Sequence, residues 1–194
     1  MPLQRIFTVV PTRTLVMDVF GLANADRVLP GVKAGDPAAQ EAVYRAFEAP
    51  VYNLARRICR TPEDAEDVLQ ETFLEVFRSI GSFRGDGSLW GWVRTIAASK
   101  AFMRLRRNKY RETEELQDDV VPIRREDAAL RMDLEAALER LHPTSRAVVW
   151  LHDVEGYTHE EIAALMDKTV SFSKSQLARA HVRLRRWLGE EVPA

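Results

Sequence analysis

The sequence predicts an all-α protein built from two small helical domains. Three observations indicate this: apolar residues recur at helical spacing, several helix starts carry capping residues, and no alternating strand pattern is convincing. An acidic stretch of mixed polarity lies between the two helical blocks and is typical of a flexible linker. At 194 residues, the chain has room for one medium domain or two small ones.

The domain boundaries follow from where helical periodicity starts and stops. We expect these segments: an N-terminal extension at 1–28, a first helical domain at 29–111, a linker at 112–128, a second helical domain at 129–188 and a tail at 189–194. The extension is apolar only in patches. Pro11, Arg13 and Asp18 interrupt it, so we expect no membrane span there and no secretory signal.

Two helix starts in the first domain are marked by proline. Asp36 before Pro37 is typical of an N-cap followed by proline at the first helical position. Thr61 before Pro62 is a second such start, and acidic residues fill the turn that follows it. Pro50 is expected to end the helix that begins at Pro37.

A loop and a long basic helix complete this domain. Gly81 is expected to end the second helix, and a loop with two further glycines follows. Ser88 is then placed to cap a helix that runs to about Lys109.

The second domain ends in a short helix, a tight turn and a longer basic helix. Thr158 and Glu161 form a capping-box pattern at the start of the short helix. Residues 167–169 are expected to make the turn, and residues 171–188 the longer helix. This order predicts a helix-turn-helix.

Charge is segregated along the chain although the net charge is −1. The stretches 63–75 and 112–119 are acidic, whereas 84–111 carries nine charged residues of which only Asp86 is acidic. The stretch 168–187 has six basic residues and no acidic one. Two basic segments separated by an acidic one predict two surfaces that face polyanions.

Two stretches resemble one protein family, the bacterial RNA polymerase sigma factors of the extracytoplasmic-function (ECF) group. One stretch of this chain resembles the second region of that family: "PEDAEDVLQETFLEVFRSIGSFRGDGSLWGWVRTIAASKAFMRLRR". Another stretch resembles the fourth region: "LERLHPTSRAVVWLHDVEGYTHEEIAALMDKTVSFSKSQLARAHVRLRRWL". The resemblance implies a promoter-specificity factor. Such a factor binds core RNA polymerase, recognises the −35 and −10 promoter elements and assists promoter opening.

The acidic helix after Thr61 has an implied protein partner. Its stretch "DAEDVLQETF" is similar to the family segment that docks on the clamp coiled coil of the largest polymerase subunit. The residues implied to bind polymerase are Asp64, Asp67, Gln70 and Glu71. A carboxylate face suits a coiled coil that exposes arginine and lysine, although a plain solvated face is the alternative.

By resemblance, the long basic helix and the loop before it bind the −10 element and hold it open. Lysine and arginine neutralise phosphates, and aromatic rings stack on unpaired bases. The implied −10 residues are Phe83, Arg84, Trp90, Arg94, Lys100, Arg104 and Arg107. Trp90 and Trp92 cannot share one helical face, so at least one of them is expected in the core. Ser99 and Met103 replace the family's common asparagine and aspartate, which leaves the promoter sequence unpredicted.

The longer helix of the helix-turn-helix is implied to enter the major groove of the −35 element. The implied −35 residues are Ser171, Phe172, Ser173, Lys174, Ser175, Gln176, Arg179 and Arg183. Glutamine can pair with adenine and arginine with guanine. Asp167 stands where glycine is common in the turn. Phe172 stands where threonine is common, and it either meets a thymine methyl group or belongs to the core.

Other functions explain less of the sequence. A stand-alone helix-turn-helix regulator leaves the acidic helix and the basic-aromatic helix unexplained. A nucleic-acid-modifying enzyme needs catalytic acids or metal ligands, and we find neither that pattern nor a phosphate-binding loop. We therefore expect no enzymatic activity, no metal and no cofactor.

Cys59 is the only cysteine, which favours a reducing, cytoplasmic setting. The resemblance also implies a possible anti-sigma partner.

Overall fold

The computed structural model describes residues 25–59, 61–85, 87–112 and 134–189. It divides the chain into two compact units, with the division between Arg107 and Asn108. Helices and short turns make up the described residues, which confirms the predicted all-α fold. The first 24 residues and most of the expected linker at 112–128 lie outside the described residues.

The described part of the first unit contains α1 (Ala25–Lys33), α2 (Pro37–Ile58), α3 (Pro62–Ser79) and most of α4 (Leu89–Glu112), whose last five residues lie past the division. A 3₁₀ turn (Ile80–Ser82) follows α3. Helix α1 begins inside the segment expected to be a flexible extension.

The predicted caps of the first unit are confirmed. The Asp36 carboxylate accepts a hydrogen bond from the backbone N–H of Ala38 at 3.1 Å, and the Thr61 hydroxyl accepts one from Asp64 at 3.1 Å. The Ser88 hydroxyl accepts one from the N–H of Gly91 at 3.0 Å. These bonds satisfy N–H groups that have no partner within their own helix.

One predicted helix end is wrong, because helix α2 continues through Pro50 to Ile58. Helix α3 ends at Ser79 with Ile80 as its C-cap, so Gly81 lies directly after the helix as predicted. A proline inside a helix costs about 3 kcal/mol. Val51, Leu54 and Ile58 lie beyond it and are buried, and each contributes about 1.5–3 kcal/mol by leaving water. The tertiary packing therefore outweighs the local penalty.

Helix α4 packs into the first unit through a row of mostly small side chains. Leu89, Val93, Ala97 and Ala101 recur at intervals of four and are all buried. Residues four apart lie on one helical face, and alanines on it allow close approach to the neighbouring helices. The exposed residues of α4 include Thr95, Met103, Arg106 and Arg107.

The second unit contains α5 (Leu134–Glu139), α6 (Pro143–Val149), a π-helical turn (Trp150–Val154), α7 (His159–Met166) and α8 (Val170–Trp187). Helix α8 packs against α5, α6 and α7. The shared core includes Leu141, Val148, Leu151, Ile162 and Leu184.

The α7–α8 segment has the local geometry expected of a helix-turn-helix. Both bonds of the predicted capping box form: the Glu161 N–H donates to the Thr158 hydroxyl at 3.2 Å, and the Thr158 N–H donates to the Glu161 carboxylate at 2.8 Å. Asp167 ends α7 in the left-handed conformation, with φ 54° and ψ 51°. Aspartate tolerates this region better than most side chains. The Thr169 hydroxyl then caps α8.

Candidate functional surfaces

The outward side of α3 combines acidic, amide and apolar side chains. Asp67, Gln70 and Leu74 are exposed along it, and Glu71 is half-buried. Leu74 is 69% exposed, the most exposed large apolar residue in the described part of the chain. Residues 67, 70, 71 and 74 are separated by three or four positions and lie on one face. The predicted polymerase-binding set omitted Leu74, whose helical register with Asp67 and Gln70 was already visible in the sequence.

Ion pairs join helices α3 and α4. They connect acidic residues of the helix predicted to bind polymerase with basic residues predicted to bind the −10 element. The Arg104 guanidinium contacts both Asp64 and Asp67, with Nε 3.0 Å from Asp64 Oδ1, although that N–H is not aligned for a hydrogen bond. Lys100 Nζ lies 3.4 Å from Glu75 Oε2. The structure thus places two of the predicted −10 cations against the acidic helix. Their predicted role in DNA binding stays a prediction.

The aromatic residues at the start of α4 form two ring contacts. Trp90 lies 5.5 Å from Phe47, and Trp92 lies 5.4 Å from Phe83, measured between ring centroids. Both tryptophans are half-buried, whereas Phe83 is 6% exposed. Each tryptophan therefore has one side in the core and another side toward solvent. Phe83 was predicted to bind DNA, but its ring faces the protein here, and the role is untested.

The remaining cations of the predicted −10 set differ in exposure. Arg84 and Arg107 are exposed, and Arg94 is half-buried. Met103 is 50% exposed on α4, and Ser99 is half-buried one turn before it. The two residues at which the chain departs from the family pattern therefore lie on the outer part of this helix.

Helix α8 presents an exposed face with several polar and basic side chains. Four of the predicted −35 residues are exposed on it: Ser171, Lys174, Ser175 and Arg179. Their spacing of three and four residues places them on one side. Ala178, Val182 and Arg186 extend the same exposed face and were not predicted. Phe172 and Arg183 are half-buried at its flank.

Two of the predicted −35 residues have partners inside the second unit. Ser173 is buried, and its hydroxyl lies 3.0 Å from Nδ1 of His159. The hydroxyl of Ser145, on α6, donates a hydrogen bond to Oε1 of Gln176 at 2.8 Å. A bidentate pair with adenine requires both the oxygen and the nitrogen of the glutamine amide. Gln176 Oε1 already accepts one hydrogen bond from Ser145, and the predicted adenine contact stays a prediction.

Three histidines and one aspartate gather beside the helix-turn-helix. Asp153 lies 2.6 Å from His181 and 2.9 Å from His152, and the His152 ring stacks on His159 with centroids 4.5 Å apart. Burial alone would raise the pKa of Asp153, but hydrogen bonds with His181 and His152 bring it below 3.8. Burial, and then the charges of His152 and Lys174, lower the pKa of His159 below 6.5, although Glu160 and Asp153 oppose this shift.

We expect the free energy of unfolding of the second unit to decrease at acid pH, because of the lowered pKa of His159. The unfolded chain takes up a proton at residue 159 near pH 6.5, and the folded chain does so at lower pH. The folded state therefore keeps its full stability above pH 6.5, where His159 is neutral in both states, and it loses stability as the pH falls below 6.5. We expect the melting temperature of the second unit to fall between pH 7.5 and pH 5.5.

His159→Asn tests the source of this decline. The asparagine amide replaces Nδ1 as a hydrogen-bond partner for Ser173 and does not titrate. The variant should melt at nearly the same temperature at both pH values. An equal decline in the variant and the natural protein would assign the effect to other groups.

Among the described residues, no group of three or more His, Cys, Asp and Glu side chains is arranged to hold a metal ion. None of the helices in residues 25–112 or 134–189 has the length and apolar character needed to cross a membrane.

The comparisons with known proteins identify the family. Residues 43–111 match the Sigma-70 region 2 model, and residues 131–184 match the Sigma-70 region 4 model. The ECF RNA polymerase sigma factor SigM of Mycobacterium tuberculosis is 36% identical over 158 residues, which cover 80% of each chain. SigE of Mycolicibacterium smegmatis is 33% identical over 93% of this chain and 69% of its own. CarQ of Myxococcus xanthus is 34% identical over 72% of this chain and 83% of its own.

Solved structures agree on the fold. The sigma factor RpoE of Bartonella quintana, crystallised with the anti-sigma factor NepR, has a TM-score of 0.53 and 22% identity, and covers 75% of this chain and 94% of its own. CnrH with the cytosolic domain of CnrY also has a TM-score of 0.53, at 20% identity over 87% of this chain and 99% of its own. The fold and both matched regions define a sigma-70-type transcription factor. The chain belongs to the ECF group of RNA polymerase sigma factors, which confirms the resemblance seen in the sequence.

Proposed function

We propose that this sigma factor contacts core RNA polymerase through the outward side of α3. Asp67, Gln70 and Glu71 supply acidic and amide groups, and Leu74 supplies an exposed apolar group on the same face. An exposed leucine gains free energy when a partner covers it, and the neighbouring carboxylates select a basic partner. This composition supports docking on the polymerase coiled coil that the family resemblance implies.

We further propose that the two basic helices bind separate promoter elements. The outer side of α4 and the loop before it bind the −10 strand, with Arg84, Arg107 and the solvent-facing sides of Trp90 and Trp92 as the accessible groups. The exposed face of α8 binds the −35 duplex. The observation that carries this proposal is that face, on which Ser171, Lys174, Ser175 and Arg179 are exposed after a capped turn.

Reconstitution with core RNA polymerase tests the proposed function. The purified protein is added to core enzyme with fragmented genomic DNA of the host, and the transcripts are sequenced. We expect new start sites that share two sequence elements upstream, at the spacing of −35 and −10. Start sites identical to those of core enzyme alone would contradict the proposal and favour a stand-alone regulator.

Arg179 provides a test of the −35 surface. Its exposed guanidinium on α8 suits bidentate recognition of guanine. We expect Arg179→Ala to weaken binding of a duplex −35 element by about 1–3 kcal/mol and to relax the preference at one base pair. Arg186→Ala removes the same charge two turns further along the exposed face and is the matched control. It should weaken all sequences alike, as expected for a phosphate contact.

Three further aspects of the proposal follow from the family. The protein acts as a non-enzymatic specificity subunit in the cytoplasm, where its polymerase is. An anti-sigma factor is proposed as a regulatory partner, since the structurally similar sigma factor RpoE of Bartonella quintana was crystallised with the anti-sigma factor NepR. Co-purification of a tagged protein from its host, followed by competition with core enzyme, tests for one.

A further inference from the structure

The loop between α3 and α4 is fixed at both ends. At its start, the backbone N–H of Phe83 donates to the carbonyl of Ile80 at 3.1 Å, and the Phe83 ring packs on Trp92. At its end, Ser88 caps α4. Between these points Arg84, Gly85 and Gly87 are exposed, and Gly85 has a φ of 83°, which favours glycine. The contacts of Phe83 and Ser88 therefore fix the two ends of the exposed segment 84–87.

One anchor comes from a helix that lies 50 residues earlier in the chain. The ammonium group of Lys33, at the end of α1, donates a hydrogen bond to the carbonyl oxygen of Phe83 at 2.8 Å. A bond from a charged donor is about twice as strong as one between neutral groups. It fixes the carbonyl at the residue where the loop leaves the buried part of the unit and becomes exposed.

Helix α1 is packed tightly against the rest of the first unit, and this packing fixes the position of Lys33. Val32 is buried, and α1 packs on both α2 and the 3₁₀ turn. At Gly31 the two helices approach so closely that a Cβ atom would lie 2.9 Å from Cβ of Ala39. Lys33 is therefore presented to the loop from a packed helix. Helix α1 also precedes residues 43–111, the part of the chain matched by the region 2 model.

We propose that Lys33 is a positioning residue for −10 recognition. It holds the carbonyl of Phe83, and through it the exposed loop and the Phe83–Trp92 contact, in the geometry that receives a base of the −10 strand. This inference rests on the proposed −10 function of the loop. Lys33 acts through the loop backbone and need not touch DNA.

Lys33→Met tests the inference, since methionine keeps much of the aliphatic stem and removes the ammonium group. Holoenzyme made with each variant is titrated with single-stranded oligonucleotides that carry the mapped −10 sequence. A panel of oligonucleotides has one base replaced at a time. We expect Lys33→Met to reduce discrimination at one base position by about five- to tenfold, with affinity for core polymerase unchanged.

Two matched variants complete the experiment. Lys33→Arg retains a cationic donor and should restore the discrimination. Arg27→Met removes a charge from an exposed position on the same helix and should discriminate like the natural protein. Melting curves establish that all variants are folded at the temperature of the titration.

The outcomes separate the inference from the function on which it rests. If holoenzyme with the natural protein shows no base preference on the panel, the proposed −10 function is wrong. If that preference exists and Lys33→Met retains it in full, the positioning role is overturned. An equal loss for every oligonucleotide also overturns it, and a flatter salt dependence would then assign Lys33 to a phosphate contact.

Discussion

Arg104→Met is expected to lower the free energy of unfolding of the first unit by about 2 kcal/mol, because it removes a cation that contacts the half-buried Asp64 carboxylate. The side chains of Arg104 and Asp64 are 16% and 17% exposed. A fully buried pair that loses one partner costs about 3–5 kcal/mol, and partial exposure reduces this. Asp67 contributes less, since its side chain is 56% exposed and exposed pairs contribute about 0–1 kcal/mol. Thermal unfolding should show a decrease of about 8–16 °C for a unit of this size.

The partner residue supplies the control for this prediction. Asp64→Leu removes the carboxylate, so the double variant with Arg104→Met should be more stable than Arg104→Met alone. Arg107→Met changes an exposed arginine on the same helix and should be nearly neutral. If Arg104→Met melts like Arg107→Met, the ion pairs of Arg104 with Asp64 and Asp67 do not stabilise the unit.

These ion pairs also determine how the polymerase surface is best tested. Reversing the charge of Asp67 would place a second cation beside Arg104, so it would disturb the α3–α4 contact as well as any docking. A loss of polymerase binding in that variant would have two explanations. Leu74 gives a cleaner test because it is exposed on the same side of α3.

Leu74→Arg is expected to weaken the affinity for core RNA polymerase by about 30-fold or more, equivalent to about 2 kcal/mol. The change removes apolar area from the proposed docking face and adds a cation opposite a basic partner. The fold should be retained, since 69% of the residue is already exposed. The measurement is a titration of labelled protein with core enzyme, with circular dichroism to verify helix content.

Met103→Arg is the matched control for Leu74→Arg. It makes the same replacement of an exposed apolar side chain, but on α4 instead of α3. Without DNA, its affinity for core enzyme should equal that of the natural protein. Equal affinities for all three proteins would remove the outward side of α3 from the docking mechanism.

The sequence predicted most local structure correctly because the deciding interactions are short in range. The caps at Asp36, Thr61 and Ser88 join residues two or three positions apart. The Thr158–Glu161 capping box spans one turn. Pro50 is the exception: its local penalty was correctly recognised, but the packing of the apolar residues beyond it was not available to a local argument.

The sequence by itself determined the fold class and the family. It also determined which helices carry acidic and basic residues, because periodicity, capping and motif order are properties of the chain. Only the tertiary structure decided what those side chains face. It paired Arg104 with Asp64 and Asp67, directed Gln176 toward Ser145, buried Phe83 and Ser173, left Leu74 exposed, and brought Lys33 to the carbonyl of Phe83. Each of these outcomes, apart from the exposure of Leu74, depends on two segments that are far apart in sequence and meet only when the helices pack. Helical spacing fixes which side of its own helix a residue occupies, and packing alone fixes which side becomes a surface.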